Sequence, residues 1–195
     1  PCVNATGRLE SAETAVKLFS TDNEEEAYSL AAELVRLNAE RKDMTSKAVE
    51  EAIEAVNLTD LKNDKVLVIY NSQIHESIAG IVAGKVKEAF YKPTIIITDS
   101  GQLAKGSGRS IEAYNMFDEL LKCQELFEKF GGHPMAAGLS LKKENIDILR
   151  KMLNNNCCLT VEDMTSVIRI DKQLGFDQID IELALQLESL SPFGK

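Results

Sequence analysis

Lys65-Val-Leu-Val-Ile-Tyr70, Ile78-Ala-Gly-Ile-Val-Ala83 and Pro93-Thr-Ile-Ile-Ile-Thr98 decide the fold. The first and third are short apolar, β-branched runs of strand length. Between them Ile78, Ile81, Val82, Val86 and Ala89 recur at helical spacing, and Gly80 and Gly84 suit a helix packed closely on its neighbour. Strand, helix and strand in that order predict a parallel βαβ unit. Pro93 sits at a strand's first position, where its missing N–H is tolerated. Downstream, residues 102–110 read as a third strand ending in Gly106-Ser107-Gly108-Arg109-Ser110. Asn115-Met-Phe-Asp118 caps a helix running to about Leu126. A Gly-Gly-His turn, a strand at Ala136–Leu141 and a helix at Lys143–Leu153 follow. Upstream, residues 10–60 contain neither Gly nor Pro, and Asn23 with Glu26 makes a helix-start signal. Two helical stripes there predict two long helices, or one that bends. From Thr160 the pattern changes: Ser166–Asp171 alternates as a strand, and Ile181–Leu190 resembles a short helix. The expected class is α/β: a long connecting helix, then a mixed sheet flanked by helices. The expected divisions are 1–61, 62–156 and 157–195, the last being the truncated start of a further domain.

Length, at 195 residues, allows one or two domains, and 44% hydrophobic residues suffice for a core. A net charge of −9 excludes a uniformly basic, DNA-coating protein but permits a local basic groove. The charge is uneven: −7 over residues 1–60, +2 over 61–159 and −4 over 160–195. Eight of the 11 glycines also lie in the middle block, so a site is sought there. Cys2, Cys123, Cys157 and Cys158 lack a C-x-x-C spacing and read as reduced thiols of a cytoplasmic protein rather than zinc ligands. No run of 18 apolar residues and no leader pattern is present, so no membrane partner is expected. Pro1 and the closing Ser191-Pro-Phe-Gly-Lys195 read as the cut ends of a longer protein.

Three segments carry candidate chemistry. In Gly106-Ser107-Gly108-Arg109-Ser110 two glycines let a ligand approach the backbone, two hydroxyls donate, and one guanidinium matches a phosphate bidentately. The alternative is a surface turn with a solvated arginine. Phe130-Gly131-Gly132-His133-Pro134-Met135-Ala136-Ala137-Gly138 places a histidine among small residues, where it can donate to a phosphate oxygen or move a proton. The alternative is a structural turn. Asn4-Ala5-Thr6-Gly7-Arg8 reads as a small-residue turn with an arginine near a helix start, suited to an anion or simply exposed. His75 reads as a helix cap. There is no Asp/His cluster for two metal ions, no Ser/His/Asp set and no dinucleotide fingerprint. Without Trp, a broad base-stacking platform is not expected.

Taken in order, Asn4–Arg8, His75 ahead of Ile78–Ala83, Gly106–Ser110 and Phe130–Gly138 strongly resemble the RecJ family of bacterial single-strand-specific DNA exonucleases, over essentially the whole chain. Ser191-Pro-Phe-Gly194 resembles that family's entry into its oligonucleotide-binding fold. The Gly-Gly-His element is shared across the wider DHH phosphoesterase superfamily. Gly108 stands where the family usually has alanine, and Thr6 where it often does; both changes are small. The resemblance implies the end of a DHH domain and connecting helix over 1–61, a DHH-associated domain over 62–156, and the start of an oligonucleotide-binding domain over 157–195. It implies that Arg8, Ser107 and Arg109 hold a 5′ phosphate. By the same resemblance Ser110, Gly131 and Gly132 line the nucleic acid, and His133 is catalytic beside the scissile phosphate. The partner that the resemblance implies is single-stranded DNA, in repair and recombination. The resemblance assigns the Mn²⁺ or Mg²⁺ ions to a DHH domain outside this chain, so this chain is expected to bind none and to be inactive alone. The alternatives are an oligonucleotide or cyclic-dinucleotide phosphodiesterase of the same superfamily, and a non-catalytic phosphate-binding module.

Overall fold

A computed structural model describes residues 2–168 and 170–193. Three helices open the chain: α1 (Cys2–Leu9), α2 (Glu13–Ser20) and α3 (Glu24–Leu58). The acidic stretch is therefore one helix of 35 residues, about 52 Å long at 1.5 Å per residue. The Asn23 side chain caps it by accepting the Glu26 N–H at 3.2 Å. Leu34 and Leu37 are buried in its first half, which packs against α1 and α2. Ala48, Ala52 and Val56 are buried in its second half, which packs on the sheet unit. The Asn4–Arg8 turn expected from its small residues is instead the body of α1. Gly7 imposes no turn, since a Cβ there would meet only the Ala12 methyl at 3.8 Å.

The sheet follows, with β1 (Leu67–Tyr70), α4 (Glu76–Phe90), β2 (Thr94–Ser100), β3 (Leu103–Arg109), α5 (Met116–Leu121), β4 (Phe127–His133), β5 (Ala136–Leu141) and α6 (Ile146–Asn156). Strand order is β1-β2-β3-β5-β4. β1 and β2 are parallel across α4, as the strand–helix–strand order predicts, and the remaining pairs are antiparallel. Alternation divides the core into two layers. Leu67, Ile69 and Ile96 pack under α4 and the second half of α3. Val66, Val68, Ile95, Ile97 and Leu139 pack on the other face with Met116 and Leu120 of α5 and Leu149 and Leu153 of α6.

Two local expectations are corrected. Gly131-Gly132-His133 is not a turn but the end of β4; Pro134 and Met135 make the turn into β5. The helix begun at Asn115 stops at Leu121 and gives way to a single 3₁₀ turn at Gln124–Leu126. The thiols are all free, and burial, then the nearby Glu125 and Glu119, push Cys123 up to about 11.

The compact unit extends to Thr165, and Ser166 onward forms a second unit. The strand expected over Ser166–Asp171 is absent among its described residues; Arg169 lies outside them. An alternating segment without a partner strand has nowhere to place its backbone hydrogen bonds. The helix is present as α7 (Ile181–Glu188), capped by Asp180 accepting the Leu183 N–H at 2.7 Å.

β1 is a sheet edge, and Asn154 of α6 ties down the two residues that lead into it. Its Oδ1 accepts the N–H groups of Lys65 (2.8 Å) and Val66 (3.0 Å), and its Nδ2 donates to the Val66 carbonyl (2.9 Å). Asn154→Ala strands three part-buried backbone groups. It is expected to cost about 2 kcal/mol, readable as a lower urea midpoint with an unchanged slope.

Candidate nucleic-acid interface

α4 packs across β2 and β3 but leaves β5 and β4 uncovered on that face. Strand alternation turns Lys105, Ser107 and Arg109 of β3 toward it. The register then sets three rows across the sheet: Lys105–Ser140–Lys129, Ser107–Gly138–Gly131 and Arg109–Ala136–His133. Lys105 and Arg109 stand on β3 with the Ser107 hydroxyl, Lys129 and His133 on β4, and β5 between them carries Ser140, Gly138 and Ala136. The face and the first turn of α4 enclose a cleft of about 510 Å³, lined by Glu76, Ser77, Lys105, Ser107, Lys129 and Gly138 among others.

Arg109 is half-buried at one end of this face. Its Nη1 donates to the Gly108 carbonyl at 2.7 Å, and its guanidinium lies against Gly80 of α4. A Cβ at Gly80 would stand 2.7 Å from Nη2, so the glycine is what lets the arginine pass under the helix. Arg8, from the last turn of α1, reaches the same place: its Nη1 donates to the Ser77 carbonyl at 2.8 Å. Burial, and then the like charge of Arg8, hold the Arg109 pKa below its ordinary value. Neither arginine has a carboxylate partner among the described residues. Two converging guanidinium groups without a counter-charge form a site that an anion stabilises. Ser107, on the same face, offers a hydroxyl that no described residue engages. His75 caps α4 as expected: Nδ1 accepts the Ser77 N–H at 3.3 Å.

His133 is exposed at the far end of the Arg109 row. Its Nδ1 accepts the Met135 N–H at 3.3 Å, so the neutral ring carries its proton on Nε2, a donor still available. Ser110 behaves differently from its neighbours. It is buried, its hydroxyl donates to the Tyr114 carbonyl at 2.6 Å, and its N–H donates to the Met135 carbonyl at 2.9 Å. It holds the β4–β5 turn from behind and presents no free group to the cleft. The adjacent glycines also part company. A Cβ on Gly132 would collide with the Ala136 carbonyl oxygen at 2.3 Å, so packing requires that glycine. A Cβ on Gly131 or Gly138 would meet nothing within 4 Å. No group of three or more His, Cys, Asp or Glu fit to hold a metal ion occurs among the described residues. No helix among them is long and apolar enough to cross a membrane.

Residues 63–157 match the DHHA1 domain family. Across its full length the chain is 41% identical to the single-stranded-DNA-specific exonuclease RecJ of Bacillus subtilis, covering 25% of it. It is 32% identical to that of Escherichia coli, covering 36%. The chain carries a DHHA1 domain and is similar to RecJ exonucleases along its whole length. Its fold matches crystallised RecJ of Thermus thermophilus with Mg²⁺ (TM-score 0.72, 28% identity) and with Mn²⁺ (TM-score 0.71, 28% identity). Each match covers 80% of this chain and about a quarter of that one. The chain thus spans about a quarter to a third of the length of these RecJ relatives.

Lys105, Lys129, Ser140 and the contact of Arg8 with Ser77 are the features of this face that motif reading missed. Lys105 stands two residues before Ser107, and reading 102–110 as a strand puts it on the Arg109 face. Lys129 and Ser140 join only through the cross-strand register, which periodicity does not reveal. Gly80→Ala tests the arginine's seat. A helical Ala gains up to about 1 kcal/mol over Gly, so thermal stability is expected to hold or rise. Affinity for a phosphate monoester is expected to fall about tenfold as Arg109 is displaced.

Proposed function

We propose that this chain is the strand-binding part of a 5′-to-3′ single-stranded DNA exonuclease. Arg8, Ser107 and Arg109 receive the 5′ phosphate, and His133 faces the scissile phosphate. The observation that carries this reading is the pair of carboxylate-free guanidinium groups meeting at Ser77 and Gly80. A phosphate monoester, with two negative charges, gains most from such a pair, which favours an end over an internal phosphodiester. His133, two strands away in the same row, would donate from Nε2 to an oxygen of the next phosphate. Ser110 supports the turn that carries it. Gly131 leaves room for the strand, and Gly132 serves the hairpin.

Divalent ions, with which RecJ of Thermus thermophilus is crystallised, would be held in a DHH domain outside this chain. The domains divide as 1–61, the end of that DHH domain with the connecting helix; 62–156, the DHH-associated domain; and 157–195, the start of an oligonucleotide-binding domain. The protein works on cytoplasmic DNA, and this chain alone does not cut.

Arg109→Ala and His133→Ala separate the two roles in the intact exonuclease. A hydrogen bond to a charged group is worth roughly 1.5–3 kcal/mol. Arg109→Ala is therefore expected to lose ten- to a hundredfold in affinity for 5′-phosphorylated strands, and little for 5′-hydroxyl ones. His133→Ala is expected to bind both normally and slow single-turnover cleavage. Equal loss on both ends for Arg109→Ala contradicts the phosphate role.

A further inference from the structure

On the face of the sheet opposite α4, the ends of α5 and α6 border a second cavity of about 180 Å³. Tyr114, Glu119, Lys122, Asn156, Cys158 and Asp163 are among its walls. Two buried polar atoms of these walls have no hydrogen-bond partner among the described residues, the Tyr114 hydroxyl and Glu119 Oε2. Tyr114 is only 5% exposed, and its hydroxyl lies within electrostatic reach of Glu119. Glu119 Oε1 accepts from Lys122 Nζ at 2.6 Å. Asp163 Oδ2 accepts the N–H and the hydroxyl of Thr160 at 2.8 and 2.9 Å. Two carboxylates face one ammonium, so the walls carry an excess of negative charge, and both unmet atoms can accept. A small cation with N–H donors satisfies them.

Cys158 gives the same cavity a nucleophile. It is exposed, its thiol donates to the Asn156 carbonyl at 3.6 Å, and the Lys122 ammonium lies within electrostatic reach of its sulfur. Cys123 and Cys157 are buried, and burial pushes both thiols up, which leaves Cys158 the accessible nucleophile of the three. We propose that Cys158 is a modification site for a small aminothiol, whose ammonium sits between Glu119 Oε2 and the Tyr114 hydroxyl. The co-reactant is a low-molecular-weight disulfide with an ammonium group two carbons from sulfur. The Cys158 thiolate attacks one of its sulfurs. The S–S bond of the small molecule breaks, a new S–S bond to Cys158 forms, and the other half leaves as a thiolate that takes up the proton Cys158 gave. One disulfide is exchanged for another, and no further oxidant is needed. At about 30 Å³ per water the cavity has room for about six waters, enough for an aminoethyl chain. The site is independent of the strand-binding reading, which uses the other face of the sheet.

Cystamine, hydroxyethyl disulfide and dithiodiglycolate are disulfides of similar length that end in ammonium, hydroxyl and carboxylate groups. Each is incubated with the folded chain, and adducts at Cys158 and Cys2 are followed by peptide mass mapping. Rates are divided by those on the urea-unfolded chain, which removes each reagent's own reactivity. At Cys158 cystamine is expected to outrun hydroxyethyl disulfide by on the order of tenfold, with dithiodiglycolate slowest. At Cys2, partly exposed at the start of α1, the three are expected to run closely together. Glu119→Gln and Tyr114→Phe each weaken the ammonium's seat. Both are expected to lose most of the cystamine preference at Cys158 while hydroxyethyl disulfide reacts as before. Tyr114→Phe deletes an unpartnered buried hydroxyl, so its melting temperature is expected to hold or rise, and it carries the test if Glu119→Gln fails to fold. Equal rates for the three reagents at Cys158 in the wild type overturn the site: the cavity then holds water only. The same preference at Cys2 also overturns it, as attraction by an acidic chain at large, and so does a preference that survives Tyr114→Phe.

Discussion

The close approach of α4 to β3, made where Gly80 has no side chain, is the constraint on which the candidate site depends. Through it Arg109 leaves the sheet half-buried yet reaches the mouth of the helix, where Arg8 arrives from a different part of the chain. α3 makes the meeting possible. Its first half carries α1 and α2, its second half packs on the sheet unit, and one unbroken helix fixes the distance between them. The glycines of α4 thus cost helix propensity and give in return a place for a half-buried cation.

Electrostatics follow the same division. The chain as a whole is acidic, and its ion pairs are mostly exposed pairs of small worth, such as Arg36 with Glu33 and Glu40. On the open face the balance is reversed. Lys105, Lys129 and Arg109 line it, with Glu76 the carboxylate at its rim. Negative charge elsewhere repels an anion, so the open face, where cations and bare backbone coincide, is the surface that favours one.

Much of this was legible in the sequence. The βαβ unit, the strand ending at Arg109, the Asn115 cap and the His75 cap all rest on local chemistry that single residues report. Small residues mislead where they signal turns. Asn4–Arg8 is helical because α3 packs against it, and Gly131-Gly132-His133 is a strand because β5 pairs with it; tertiary contacts outweighed propensity in both. Arg8, Ser107, Arg109 and His133 stand out as motifs, but their common face does not, because it follows from register and from a contact 69 residues apart in sequence. Ser110 carried the same motif signal as Ser107. Its hydroxyl proves to be spent on the Tyr114 carbonyl, a distinction that burial alone makes.

The central claim is that Arg8 and Arg109 form one receptor for a terminal phosphate. Amide chemical-shift mapping of this chain with a short single strand, 5′-phosphorylated or 5′-hydroxyl, tests it most directly. The shifts that depend on the phosphate are expected to fall together on Arg8, Ser77, Gly80 and Ser107–Arg109. Phosphate-dependent shifts that spread along the acidic α3, or that spare Arg8 and Gly80 while moving His133, would contradict it.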